Sequence, residues 1–126
     1  MRIGAGLDGR LGLPFDELRQ AGREAARLGF ESLWTPAGGV PDAFHVCTAW
    51  SLDTSLRTGI SVVPAARMWA PFALAVQAAT VGHISDGRFV LGIGKPDATD
   101  QSGCWVGRDI GHDRDYPRAH GLPAER

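Results

Sequence analysis

The sequence predicts an α/β domain in which parallel strands alternate with helices. Four short apolar segments alternate with three segments whose apolar residues recur at helical spacing. The connections are short, and the third and fourth strand segments are continuous apolar runs, which is typical of strands covered on both faces. This order favours parallel strands joined by helical crossovers. The 126 residues suffice for one domain with a modest core.

The first two strand–helix units are predicted in the first part of the chain. Residues 3–7 are the first strand, and residues 14–28 are a helix, because a proline suits the first helical turn and apolar positions recur every three or four residues. Residues 31–34 are the second strand, and Asp42 can cap a second helix that runs to about Leu52. Three arginines four residues apart are expected on a solvated face of the first helix: Arg19, Arg23 and Arg27.

The next two strands flank a helix of unusual composition. The β-branched run at residues 57–63 is the third strand, and residues 89–93 are the fourth. Between them, residues 71–84 form a helix that contains almost only apolar or small residues. We therefore expect this helix to be buried on most of its sides.

The character of the chain changes after Gly94. Residues 55–94 contain 14 Val, Ile, Leu, Met or Phe among 40, whereas residues 97–126 contain three among 30. So few apolar residues cannot bury enough surface to offset the entropy of ordering the chain. The sequence therefore predicts a folded unit over residues 1–94 and an irregular, disordered tail over residues 95–126.

Composition excludes several classes of function. The formal charge of −1 offers no basic surface for nucleic acid. The longest apolar stretch is too short to span a bilayer, and the first residues contain no apolar signal segment. Two cysteines are too few for a disulfide scaffold and fit a reducing compartment. We expect a cytoplasmic protein that binds neither nucleic acid nor membrane.

Two other ligand patterns are present in weak form. Gly4, Gly6 and Gly9 match the spacing of a dinucleotide-binding turn, but the following helix begins only at Pro14. A nicotinamide-binding domain therefore stays an alternative class. No metal site is predicted, because the spacing of three soft ligands in the tail matches no zinc pattern. These three are Cys104, His112 and His120.

The predicted strand ends supply a candidate site. Ligand sites in parallel α/β folds lie at the carboxyl ends of the strands. The residues expected to line a site at this edge are Asp8, Trp34, Ser61, Val62 and Gly94, and these strand ends alone do not name its ligand. The sequence identifies no catalytic residue beyond one candidate, His45, near the start of the second helix.

Two segments resemble a known family. The segment LGFESLWTP at residues 28–36, and the segment from RTGISVV to RFVLGIG at residues 57–94, resemble the luciferase-like monooxygenase superfamily of flavin- or coenzyme F420-dependent oxidoreductases. The resemblance implies the N-terminal half of a (β/α)8 TIM barrel, with about four parallel β/α units. It also implies FMN or F420 at the carboxyl rim, a small-molecule substrate, and hydride transfer or monooxygenation. In many members a cis peptide ends the third strand, and the matching bond is Ser61–Val62.

The chain departs from the family pattern near the strand ends. Some members carry an acidic residue and a histidine just after the second strand, where residues 35–39 contain neither, so His45 is the nearest titratable substitute. After the fourth strand, Pro96 has no N–H to offer a phosphate, and Asp97 lies near where some members keep a catalytic acid.

Length is the largest departure, since a complete barrel needs about 250 residues. We expect a truncated product that has lost its reading frame after the fourth strand and is weakly active or inactive alone. The alternative is a non-catalytic half-barrel that forms a homodimer or binds a partner chain through its open sheet edges.

Overall fold

The computed structural model describes residues 2–64 and 70–94, which form one four-stranded sheet and three α-helices. The elements in chain order are β1 (Gly4–Gly6), a 3-10 helix (Gly9–Leu11), α1 (Phe15–Arg27), β2 (Ser32–Thr35), α2 (Ala43–Asp53), β3 (Arg57–Val63), α3 (Pro71–Ile84) and β4 (Phe89–Ile93). The predicted α/β class is confirmed, and the ends of the predicted strands and helices shift by at most one residue. The sequence does not predict the 3-10 helix. The predicted tail over residues 95–126 lies outside the described residues.

The four strands follow chain order, and every neighbouring pair is parallel. The register aligns Leu33 of β2 with Thr58 of β3, and both are fully buried beneath the helices. We call this side of the sheet the helix face and the opposite side the inner face. Arg57 and Ser61 on the inner face are exposed. The expectation that β3 is covered on both faces is therefore wrong for the described part of the chain, where no element packs on the inner face.

Local chemistry determines where the helices begin and end. The Asp42 carboxylate accepts hydrogen bonds from the backbone N–H groups of Phe44, at 2.9 Å, and His45, at 3.4 Å, which confirms the predicted cap of α2. Gly29 follows α1 with a φ of 84°, a left-handed conformation that glycine adopts without steric cost.

Helix α2 lies between α1 and α3 and contributes to two apolar clusters. One cluster packs α1 and α2 against β2 and contains Leu18, Ala25, Leu33, Val46, Trp50 and Leu56. The other packs α2 and α3 against β3 and contains Ala43, Phe44, Cys47, Ile60, Val63, Leu74 and Val81. The two clusters together form the core, and α2 is the element that they share.

The largest side chain in this core depends on a glycine. Trp50 is fully buried, and its indole N–H donates a hydrogen bond to the Leu18 carbonyl at 2.8 Å. A Cβ atom on Gly22 would lie 2.5 Å from Trp50 Cδ1. Helix α1 can therefore approach α2 this closely only because it presents no side chain at that position.

Helix α3 is less buried than its composition predicts. Leu74 and Val81 are buried on the side that faces α2, but Phe72 is 81% exposed and Val76 is 48% exposed. The expectation that this helix is buried on most sides is wrong, because no described element covers its outer side. None of the helices described is long and apolar enough to cross a membrane.

The arginines of α1 form ion pairs rather than a purely solvated face. Arg19 donates hydrogen bonds to both carboxylate oxygens of Asp53, each at 2.8 Å, and Arg23 lies 3.6 Å from the same carboxylate. The hydrogen bonds from Arg19 lower the pKa of Asp53 below its usual range. This pair joins α1 to the last residue of α2.

Arg88 joins the start of β4 to the end of α2. Its guanidinium donates hydrogen bonds to the carbonyl oxygens of Ser51, at 3.0 Å, Thr54, at 3.1 Å, and Leu56, at 2.6 Å. A cation at the carboxyl end of a helix is favoured by the helix dipole and satisfies carbonyl groups that the helix leaves unpaired.

We expect Gly22→Ala to lower the free energy of unfolding by about 1–3 kcal/mol, because the added methyl overpacks the site of Trp50. Urea denaturation of the chain measures this change. Gly82→Ala is the matched control, since it also lies in a helix and its Cβ would meet no atom within 4 Å. A Gly22→Ala chain as stable as the control would contradict the packing described here.

We expect Asp53→Asn to lower the Tm by a few degrees at pH 7 and by less at pH 2. Because the pKa of Asp53 is lowered in the folded chain, its contribution is complete above the ordinary aspartate pKa of about 3.9 and is lost as the pH falls through the lower folded value. Thermal unfolding at several pH values tests this, with Asp86→Asn in an exposed turn as the control. A difference in Tm that is the same at both pH values would refute it.

Candidate functional site

The carboxyl ends of the four strands meet at one edge of the sheet, which we call the strand-end edge. Asp8 follows β1, Trp34 is the penultimate residue of β2, Ser61 and Val62 lie near the end of β3, and Gly94 follows β4. The structure therefore places all five predicted residues along the same edge. Within this set, the side chain of Val62 packs closely against Gly94.

Strand β3 carries a bulge in the middle of this edge. The register between β3 and β4 shifts between Ile60 and Val63, so Ser61 and Val62 together face the single residue Gly92. The Ser61–Val62 peptide is cis, as the family resemblance implies. Both side chains of the bulge are exposed, and Val62 is 45% exposed.

Two glycines at the end of β4 let the bulge come close. A Cβ atom on Gly92 would lie 2.7 Å from the Ile60 carbonyl oxygen, and one on Gly94 would lie 2.6 Å from Val62 Cγ2. The Gly94 N–H also donates a hydrogen bond to the Val63 carbonyl at 3.1 Å. Gly92 also belongs to this candidate site, although the sequence predicts only Gly94 there, and the alternating Gly-Ile-Gly was the available signal.

Trp34 lies across the inner face of the sheet. Its indole N–H donates a hydrogen bond to Ser32 Oγ at 2.9 Å. A Cβ atom on Gly59 would lie 2.3 Å from the ring, and one on Gly4 would lie 3.2 Å from it. The sequence predicts Trp34 at the site but not these neighbours, and it assigns Gly4 to a possible dinucleotide motif instead. Glycines on both strands that pair with β2 were the signal.

An open cavity of about 440 Å³ lies on the inner face toward the amino ends of the strands. Trp34 borders it, and its charged lining residues are Arg2, Glu31, Arg57 and Arg88. Arg2 and Glu31 form an ion pair at 3.5 Å across this end of the sheet. These charges therefore lie at the opposite end of the strands from the bulge.

His45 lies on the first turn of α2 rather than on a strand. Its Nδ1 atom is 3.0 Å from the Asp42 carboxylate, and its side chain is 73% exposed. The carboxylate can orient the imidazole and leave Nε2 directed to solvent. His45 is therefore placed by α2 and not by the strands that form the edge, and its catalytic role stays a prediction.

Cys47 lies close to the site but has no nucleophilic character. Its thiol is buried in α2, with Sγ 3.6 Å from the Gly59 carbonyl oxygen. Burial, with a smaller effect of the Asp42 charge, raises the pKa of Cys47 to about 12. The thiol is therefore protonated at neutral pH and acts as a core group.

The geometry does not support the two weaker ligand patterns. A dinucleotide turn requires an α-helix that opens at its third glycine. Only the three-residue 3-10 helix Gly9–Leu11 begins there, and helix α1 begins at Phe15. Gly9 instead packs near the Pro41 carbonyl oxygen. Within residues 2–64 and 70–94, no group of three or more His, Cys, Asp or Glu side chains could hold a metal ion. The three soft ligands of the tail, Cys104, His112 and His120, lie outside that part.

The fold and the edge define a class of protein. Parallel strands in chain order, helices on one face and a bulged strand-end edge are the architecture of part of a β/α barrel, in which ligands bind at the carboxyl ends of the strands. The sequence model of the luciferase-like monooxygenase family matches residues 2–120. This chain belongs to that family, and the resemblance stated from residues 28–36 and 57–94 is confirmed.

Solved structures agree with this assignment at the level of the fold. The oxygenating constituent of 3,6-diketocamphane monooxygenase from the CAM plasmid of Pseudomonas putida, a type II Baeyer–Villiger monooxygenase solved in complex with FMN, superposes with a TM-score of 0.74 at 20% identity. The match covers 97% of this chain and 37% of that one, so the chain spans little more than a third of the length of that structure. No curated protein matches the sequence.

Proposed function

We propose that this chain provides the first half of the cofactor site of a flavin- or F420-dependent oxidoreductase of the monooxygenase kind. Membership of the luciferase-like monooxygenase family is the observation that carries the proposal. FMN is favoured over F420, because the Pseudomonas putida monooxygenase that shares the fold is described in complex with FMN.

The strand-end edge fits the planar ring of such a cofactor. A Cβ atom on Gly6 would meet no atom within 4 Å, so open space lies in front of β1, beside the indole of Trp34. Val62 is nearly half exposed on the bulge, and it is the residue that would support the ring from β3. Asp8 and Gly94 would border the ring at the two outer strands.

The chemistry divides between the cofactor and the chain. A bound flavin or F420 supplies hydride transfer or oxygen activation. The residues of this edge hold and orient the ring, and apolar groups such as Val62 keep water away from one of its sides. We propose that His45, on the helix that follows β2, is the proton carrier of the site. Asp42 is the group that orients its imidazole.

We also propose that the chain alone turns over weakly or not at all. It spans 37% of the monooxygenase that shares its fold, and the inner face of its sheet has no cover among the described residues. A ring bound at this edge would have walls on one side only. Water would then reach reactive forms of the cofactor that a closed site protects.

We expect Val62→Asp to weaken FMN binding at least tenfold, because a charged carboxylate on the bulge repels the anionic, phosphate-bearing cofactor and removes the apolar support. Val76→Asp is the matched control, since Val76 is exposed to nearly the same extent, 48% against 45%, but lies on the outer side of α3. Titration of each variant with FMN, followed by flavin fluorescence, measures the two dissociation constants. Titration with NADH tests the nicotinamide alternative. Equal effects of the two substitutions, or tight binding of NADH alone, would contradict the proposal.

A second candidate function is a non-catalytic half-barrel that pairs with a second copy of itself. The observation that favours it is the sheet itself: within the described residues, β1 and β4 each have only one neighbouring strand. An unpaired edge offers a row of backbone groups to another chain, and the exposed side chain of Ile93 lies on the β4 edge.

If the half-barrel pairs in this way, we expect a dimer that dissociates on dilution. We expect Ile93→Lys to weaken this dimer at least tenfold. A lysine on an edge strand opposes pairing of strands. Leu52→Lys is the control, because Leu52 is exposed on α2, away from both edges. Sedimentation equilibrium measures the dimer, and a monomeric wild-type chain at micromolar concentration would rule this candidate out.

A further inference from the structure

We infer that Trp34 is the floor of the strand-end site, and that a glycine cradle formed by Gly4 and Gly59 holds its indole flat on the inner face. The part of this inference that concerns the cofactor rests on the proposed function. The part that concerns the position of the indole rests on the contacts of the unliganded chain.

The register places the indole between two bare positions. Gly6 of β1, Trp34 of β2 and Gly59 of β3 are aligned in neighbouring strands and share the inner face. Trp34 is therefore the one residue of these three that carries a side chain. Barrel interiors are usually filled by several branched side chains in such a layer. Here the indole takes the space in front of Gly59, and the space in front of Gly6 stays open.

The contacts determine how the ring lies. A Cβ atom on Gly59 would lie 2.3 Å from Cζ3 of the indole, and one on Gly4 would lie 3.2 Å from Cδ1. The ring therefore leaves no room for a side chain at Gly59 and little at Gly4, where a Cβ atom would also lie 2.5 Å from Ser32 Oγ. The hydrogen bond from Nε1 to Ser32 Oγ, at 2.9 Å, selects one rotation of the ring. A methyl group at Gly59 would force the ring away from the sheet.

The position of the indole separates two environments. Toward the amino ends of the strands lies the cavity of about 440 Å³, lined by arginines and Glu31. Toward the carboxyl ends lie Val62 and the open space before Gly6. Trp34 is half-buried between them, so it limits how deeply a planar ring can enter from the strand-end edge. Aromatic rings favour offset stacking at this kind of contact.

The first test uses the unliganded chain. Subtraction of the near-ultraviolet circular dichroism of Trp34→Phe from that of the wild type gives the signal of Trp34. We expect Gly59→Ala to abolish or invert this signal and Gly82→Ala, whose methyl meets no atom within 4 Å, to preserve it. Ser32→Ala adds no atoms and should reduce the same signal even if Gly59→Ala fails to fold. Retention of the full signal in both Gly59→Ala and Ser32→Ala would overturn the cradle.

The second test uses FMN. An indole in contact with the flavin ring quenches its fluorescence by electron transfer, whereas a phenyl ring does not. We expect bound FMN to be strongly quenched in the wild type and to recover emission in Trp34→Phe, with affinity roughly three- to tenfold weaker, the range of a single aromatic contact. Bound FMN that is equally quenched in both chains would overturn this inference alone. A wild-type chain that binds no FMN would overturn the proposed function as well.

Discussion

The structure depends on one close approach, that of α1 to α2 at Gly22 and Trp50. The Trp50 indole fills the space between these helices, and its N–H is satisfied by the Leu18 carbonyl, so burial leaves no polar atom unpaired. With α2 held there, Phe44 and Cys47 pack against β3 in the second cluster. Ile60 and Val63, which flank the bulge of β3, are buried in the same cluster.

The two described tryptophans use the same device on opposite faces of the sheet. Each lies on a glycine whose Cβ would collide with the indole, Gly22 for Trp50 and Gly59 for Trp34. Trp50 is fully enclosed and supports the core. Trp34 is half-buried, and a large ring that the fold orients without enclosing is available to a ligand. The difference in burial, rather than in residue type, separates the tryptophan of the core from the one that we propose for the site.

Local patterns in the sequence were sufficient for the strands, the helices and the edge on which the candidate site lies. Asp42 marks the start of α2 through its own hydrogen bonds, and parallel strands bring their carboxyl ends to one edge whatever their exact pairing. The roles of Gly59 and Gly92 could not be predicted, because they depend on the register of strands distant in sequence.

For a related reason, hydropathy wrongly predicted that α3 is buried on most of its sides. The composition of a helix reports how much apolar surface it carries, not whether a neighbour covers that surface. Phe72 and Val76 are apolar, as is typical of a buried helix, but their side chains are exposed, as on a surface helix. The arginines of α1 show the converse, since a charged stripe that is typical of solvated faces contains Arg19, which is paired with Asp53.

The three hydrogen bonds of Arg88 have a consequence for how the molecule opens. They connect the beginning of β4 to backbone carbonyls that lie 32 to 37 positions earlier in the chain, at the end of α2 and in the loop that leads to β3. Release of the last strand therefore breaks bonds that hold the second helix, and fraying of that helix releases the strand. These bonds couple the end of α2, the loop before β3 and the start of β4, and we expect the backbone amides of these segments to exchange with solvent together.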